Sequence, residues 1–448
     1  MPQKPNVLLI MSDMHRSDAL GCYGNVFIDT PNLDKLAARG TKFTHCFTPI
    51  ALCTPARATL WSGMYPHAHN VVGNVYGVAN AFEKNGKVDT LLFDHLRDAG
   101  YESAYIGKWH LGDENPGCFD TWAGHNSMGG HWVDGKQSMQ GGTYMPDAET
   151  DTGIQFLKSQ IGSDKPFVMV QSYYPPHGPI TVHEHYSRMY RERGVPFPGY
   201  YGACTAIDNN IGKLLAALET TGHADNTIIV YFSDHGTSFD ARDCNQHARV
   251  CYDEAVRVPL IIVRPKDISL GRSVNAFVGL QDVAPTVLNF CGVNNVNSMQ
   301  GRSLTPWLDG EPEGWRDCFY FENTFNPHIY TVSFATKDQR VIGPYSQRAI
   351  RTDKWKLILS DGGPHELYNL EHDPDEVLDL YGAPYEDMHI QFRHFPKQDD
   401  TIYELANLAE KEAIAIDDEL GIKLARLILN NPVERYDWDN INATGVRM

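Results

Sequence analysis

The sequence predicts an α/β fold: a large domain over residues 1–335 and a smaller subdomain over 336–448. Three observations predict it. Through the first three quarters of the chain, short apolar runs alternate with amphipathic stretches of helical period. Beyond residue 335 the texture changes to short runs of antiparallel type. Four of the apolar runs lead on to Asp, Lys or His beyond their carboxyl ends, where parallel sheets place ligands.

The elements follow in order. Val7 to Met11 is a continuous apolar run of buried-strand type. Thr30 and Pro31 open a helix through Leu33, Leu36 and Ala37, and Gly40 closes it. A second helix spans 90–98 and stops before Gly100. A third carries Ile207, Ile211, Leu214, Leu215 and Leu218 on one face and ends near Gly222. Further strands are expected over 104–106, 167–170, 228–232 and 259–263. The subdomain shows strands over 348–351, 355–359 and 366–370, then helices near 401–430. That helical tail is a candidate for packing against a second copy of the chain.

Composition limits the partners. The formal net charge of -18 repels nucleic acid and anionic lipid, so neither is expected to bind. No apolar run approaches a membrane span, and no membrane association is expected. The opening apolar stretch ends in Ser12-Asp13 without a small-residue cleavage site, so a cytoplasmic protein is expected. Nine cysteines at irregular spacing argue against a disulfide framework and leave room for a reactive one.

Asp13 follows the first strand, Lys108 and His110 the one at 104–106, His177 the one at 167–170, and Asp234-His235 the one at 228–232. If these strands are parallel, the groups gather on one edge. Asp13, Asp234 and His235 would suit a hard or intermediate divalent cation. The sharpest local feature is Cys53-Thr54-Pro55-Ala56-Arg57, running on to Ser62-Gly63. Pro55 fits a first helical turn and Gly63 a stop, which puts Cys53 at an electropositive helix N-terminus with Arg57 one turn on.

At these residues the sequence resembles the formylglycine-dependent sulfatases of the alkaline phosphatase superfamily. The Cys-x-Pro-x-Arg signature stands at 53–57, and the Gly-Tyr strand running into Gly-Lys stands at 100–108. Asn6 to Asp13, Thr30 to Asp34, Ser233 to Gly236, Tyr252 to Leu260 and Leu367 to Pro374 look similar too. The resemblance implies a three-layer α/β/α sandwich with a large, mostly parallel sheet and a smaller antiparallel one. It also implies that a formylglycine-generating enzyme oxidises Cys53, and that the hydrated aldehyde attacks the sulfur of a small-molecule or saccharide sulfate ester. The sulfated hemiacetal can then eliminate sulfate, which a sulfated Ser cannot.

Carried over by residue, Asp13, Cys53, Asp234 and His235 would hold one divalent cation, calcium first, with manganese or magnesium as alternatives. Arg57 would fix the diol, Lys108 would bind sulfate, His110 would serve as base, and His177 would bind substrate and protonate the leaving oxygen. Three departures stand out. Met14 replaces a second acid, Asp234-His235 resembles choline sulfatases and phosphonate monoester hydrolases, and Ala248 replaces a second sulfate-binding Lys, a role left to Arg249 or His247. Phosphonate monoester or phosphodiester hydrolysis is therefore the second expectation, and a silent anion-binding protein the third. Cys244, His247 and Cys251 are not expected to bind zinc. Specificity loops are expected over 64–88, 112–150 and 178–200, including His67, His69, Trp122, His125, His131 and Trp132.

Overall fold

Asn6–Asp13 (β1) is buried along its whole length, and its side chains alternate between two cores. Val7, Leu9 and Met11 face one, while Leu8 and Ile10 face the other. A strand apolar on both faces must lie inside a sheet covered on both sides. The computed structural model describes residues 4–82, 88, 90–126, 131–133, 142–239, 250–265, 271–294, 296–324, 346–381 and 398–431.

The sheet has eight strands. The others are Thr41–Phe47 (β2), Glu102–Lys108 (β3), Thr121–His125 (β4), Phe167–Pro176 (β5), Thr227–Ser233 (β6), Leu260–Val263 (β7) and Arg272–Gly279 (β8). Their order is β4-β3-β5-β1-β6-β7-β2-β8. β7 runs antiparallel to β6 and β2, and all other pairings are parallel. The carboxyl ends of β1, β3, β5 and β6 therefore point the same way from adjacent central positions.

Helices cover both faces. The Cys53–Ser62, Leu92–Asp98 and Val283–Phe290 helices bury Trp61, Phe93 and Val287 against one. The Pro31–Arg39, Met145–Ser159 and Pro198–Thr220 helices bury Leu33, Phe156 and Ile211 against the other. This is the expected three-layer α/β/α sandwich. No helix among the described residues is long and apolar enough to cross a membrane. The described cysteines are free.

A second, antiparallel sheet is built from Phe319–Asn323 (β9), Gln347–Arg351 (β10), Trp355–Ser360 (β11) and Glu366–Asn369 (β12). The expected boundary at 335 lies outside the described residues, and β9 joins this sheet from the near side of it. The Gln398–Ala415 and Glu419–Asn430 helices turn apolar residues toward this sheet. Ile402, Leu405, Ala409, Leu424 and Ile428 pack with Ile350, Leu357 and Leu359. The tail thus covers its own sheet.

Buried ion pairs brace the smaller sheet, and one of them, Lys356 with Asp253, ties it to the larger part. Arg348 meets Asp418 and Glu322, and Lys356 meets Asp253 and Glu376. His67 lies here and not in the substrate mouth. Its Nδ1 donates to Glu322 Oε1 at 2.7 Å and its Nε2 to the Ile416 carbonyl at 2.8 Å. Two acceptors require two N–H groups, so the ring is an imidazolium. Burial opposes that charge, but the Glu322 carboxylate outweighs it and raises the pKa above 6.5. This contribution is complete below pH 6.5 and is lost as pH rises through the raised folded-state value. His67→Gln is expected to cost about 1–2 kcal/mol at pH 6, the deficit shrinking toward pH 9. Urea midpoints of both proteins at the two pH values check this; an equal deficit at both would contradict it.

Candidate active site

The sheet assembles the site. Asp13 ends β1, Lys108 ends β3, and Asp234 and His235 directly follow β6. β1 lies between β5 and β6, so Asp13 sits at the centre. Cys53 enters from the adjoining layer as the first residue of its helix, with Leu52 as an extended N-cap. Gly63 ends that helix with φ 66, the left-handed conformation that favours glycine.

Four groups surround the sulfur. His235 Nε2 lies 3.2 Å from Cys53 Sγ, Lys108 Nζ 3.6 Å and Asp13 Oδ1 3.7 Å. Asp234 completes a set whose ligand atoms, with those of Asp13, Cys53 and His235, all lie within 4.8 Å of one another. Arg57 is fully buried beneath. Its Nη2 donates to Asp13 Oδ2 and its Nε to Asp234 Oδ2, each at 2.9 Å, and its Nη1 to Ser172 Oγ and the Lys108 carbonyl. Lys108 Nζ also bonds Asp13 Oδ2. In this geometry Arg57 clamps the two carboxylates.

The electrostatics follow. Burial opposes the Asp13 charge, but Lys108, His177, Arg57 and His235 hold its carboxyl well below the usual range. Burial also opposes the charges of Lys108 and Arg57, and the carboxylates overcome it, so both stay cationic. Burial and the adjacent Lys108 and Arg57 keep the His110 imidazole neutral. Met14 and His110, with φ 63 and 56, are non-glycine residues in the left-handed region, and both flank the cluster.

The donor set fits a divalent cation. His235 donates Nδ1–H to the Gly236 carbonyl at 2.8 Å, which turns Nε2 toward the cluster, where a cation would take the place of its proton. Burial disfavours a charged ring there, yet Asp234, Cys53 and Asp13 raise its pKa to about 10. The pocket therefore draws positive charge to the point where a cation would sit. Met14 contributes only backbone: its N–H donates to Asp234 Oδ1 at 3.2 Å and its carbonyl accepts from Tyr200.

His177 follows β5 and donates Nδ1–H to the Gly178 carbonyl at 2.6 Å. Its ring tilts against Tyr174 at 5.0 Å, and Tyr174 covers Lys108 Nζ at 4.5 Å. His110 is reached through its carbonyl, which accepts from Thr54 Oγ1 at 2.8 Å. Arg249, His247 and Cys244 lie outside the described residues. His69 is a core residue bonded to Thr59, and Trp122 packs against Tyr105, Trp109 and Phe119. His125 pairs with Glu149, and His131 and Trp132 bond Thr181. Ser172, Tyr174 and Tyr76 join the site without a motif to announce them; the Tyr173-Tyr174 pair near the end of β5 is the one trace of them in the sequence.

The sulfatase family model matches residues 5–293, well over half of the chain. The chain belongs to the sulfatase family. It is a sulfuric ester hydrolase. A model of the C-terminal region of N-sulphoglucosamine sulphohydrolase matches residues 245–395. An N-acetylglucosamine-6-O-sulfatase of Bacteroides thetaiotaomicron is 29% identical, over 85% of this chain and 83% of that protein. A structure solved with its substrate D-glucosamine-2-N,6-O-disulfate superposes with a TM-score of 0.75 and 25% identity, covering 93% of this chain and 99% of the other. The phosphonate monoester hydrolase of Agrobacterium radiobacter shares the fold, with a TM-score of 0.67 and 24% identity over 87% of this chain and 92% of its own.

One consequence of the clamp is testable. Arg57→Lys keeps the charge but cannot span both carboxylates. The variant is expected to lose about 3 kcal/mol of stability and at least about 100-fold in kcat/KM. Chemical denaturation and steady-state kinetics check it; a variant within twofold of wild type in kcat/KM would show that the clamp does not set the site.

Proposed function

We propose that this sulfatase hydrolyses a saccharide sulfate monoester, with formylglycine made from Cys53 as nucleophile and one divalent cation held by Asp13, Asp234 and His235. The observation that carries the reading is the seat of Cys53: a helix N-terminus, with His235, Lys108 and Asp13 within 3.7 Å of Sγ. An inert core cysteine would be ringed by apolar groups. The relatives named for N-acetylglucosamine-6-O-sulfate chemistry and solved with a glucosamine disulfate support a sulfated amino sugar. When bound, the cation would lower the pKa of the nucleophilic hydroxyl and draw charge from a sulfate oxygen.

The chain's own residues supply the rest. Lys108 binds the sulfate as a fixed ammonium in a dry pocket, where its field is little screened. Neutral His110 can take a proton from the nucleophile side. His177, beside Tyr174 just after β5, can deliver a proton to the leaving oxygen. Arg57 keeps both carboxylates in place. Calcium is the first candidate for the cation and manganese or magnesium the alternatives, since one imidazole joins two carboxylates.

The Asp234-His235 pair and the phosphonate hydrolase fold keep phosphonate esters as a second reading. Matched 4-nitrophenyl sulfate and phenylphosphonate esters separate the two by kcat/KM. A sulfate preference is expected, and a clear phosphonate preference would overturn the reading. Cys53→Ala is expected to lower kcat/KM on the order of 10³-fold or more in either case. Activity within tenfold of wild type would exclude Cys53 as nucleophile.

A further inference from the structure

Tyr76 is 53% exposed, yet its ring lies 5.5 Å from that of His110 at 47°. A large ring left in solvent beside a buried charged site is not part of the core. Its position is nonetheless fixed. Asn74 Oδ1 accepts from Thr54 N–H at 3.1 Å, and Val75 N–H donates to Thr54 Oγ1 at 3.4 Å. On the other side, Asp113 N–H donates to the Val78 carbonyl at 2.9 Å and Ala81 N–H to the Leu111 carbonyl at 2.7 Å. Gly77, with φ 62, makes the turn between these anchors. The loop is thus stitched to the residue after Cys53 and to the segment after His110, the two places that carry the proposed chemistry. The Tyr174 and His177 rings tilt together at 5.0 Å, with the Tyr174 ring 4.5 Å from Lys108 Nζ.

We propose that Tyr76 is the platform for the leaving group, stacking on the pyranose ring that carries the sulfate. The assignment rests on the sulfate-ester reading above and adds the element that recognises the sugar. A pyranose presents C–H groups on its faces, and an exposed, preorganised aromatic ring is the surface they pack against. Lys108 and the cation site hold the anion; Tyr76 meets the carbon skeleton just outside it.

Calorimetric titration of wild type, Tyr76→Phe and Tyr76→Ala tests this with two probes. One is 6-deoxy-6-sulfoglucose, whose carbon–sulfur bond is not hydrolysed; the other is inorganic sulfate. Wild type is expected to bind the sulfosugar more tightly than sulfate. Tyr76→Phe should stay within about twofold of wild type for both, since the ring is kept. Tyr76→Ala should bind the sulfosugar about 10-fold more weakly and sulfate as wild type does. Equal sulfosugar binding by wild type and Tyr76→Ala would overturn the proposal. So would equal losses for both probes, which would mark a structural role. If wild type binds neither probe, the sulfate-ester reading fails with it, an outcome distinct from a failure at Tyr76 alone.

Discussion

The structure depends on one buried ionic contact, the Arg57 guanidinium spread across the carboxylates of Asp13 and Asp234. All three side chains are fully buried. Two like charges this close cannot share a dry pocket unless cations bind them both. Arg57 does so from below and Lys108 from the side. Because Asp13 ends β1, Asp234 follows β6 and Arg57 comes from the overlying helix, the same contact locks the sheet edge to the helix that presents Cys53.

That arrangement reconciles an acidic protein with an anionic substrate. The whole chain carries -18, but the two carboxylates of the cluster are already balanced by Arg57 and Lys108. Any further positive charge, on His235 or from a cation, is then surplus. It stands at the N-terminus of the Cys53–Ser62 helix, which adds its own positive end. A sulfate group therefore meets a locally positive pocket within an acidic surface. The left-handed backbone at Met14 and His110 belongs to the same design, since the chain must turn sharply out of β1 and β3 to point side chains inward.

Much of this was legible in the sequence, for a physical reason. Continuous apolar runs mark strands buried on both faces, and parallel packing brings their carboxyl ends together. Asp13, Lys108, His177 and Asp234-His235 are thus assigned to one edge by the sequence alone. β2, β4, β8 and β9 were not read. β2 and β8 mix Thr, Lys, His, Ser and Asn into the run, because they lie at one side of the sheet with part of their length open. The reversed direction of β7 depends on pairings far apart in the chain. The bonds of Arg57 to Asp13 and Asp234 are not legible in the sequence, because those partners lie more than forty residues away. The packing of the helical tail on its own small sheet joins segments far apart in the chain, so the sequence does not display it. Tyr76 had no signal, since an exposed aromatic in a loop gains meaning only when the loop is seen pinned beside His110.

The central claim is that this buried charge cluster is built around a modified Cys53. The most direct measurement is the mass of the tryptic peptide 43–57, from protein co-expressed with a formylglycine-generating enzyme. The account predicts an aldehyde in place of the thiol at Cys53, with Cys46 of the same peptide left unmodified. An intact Cys53 thiol under those conditions would contradict it.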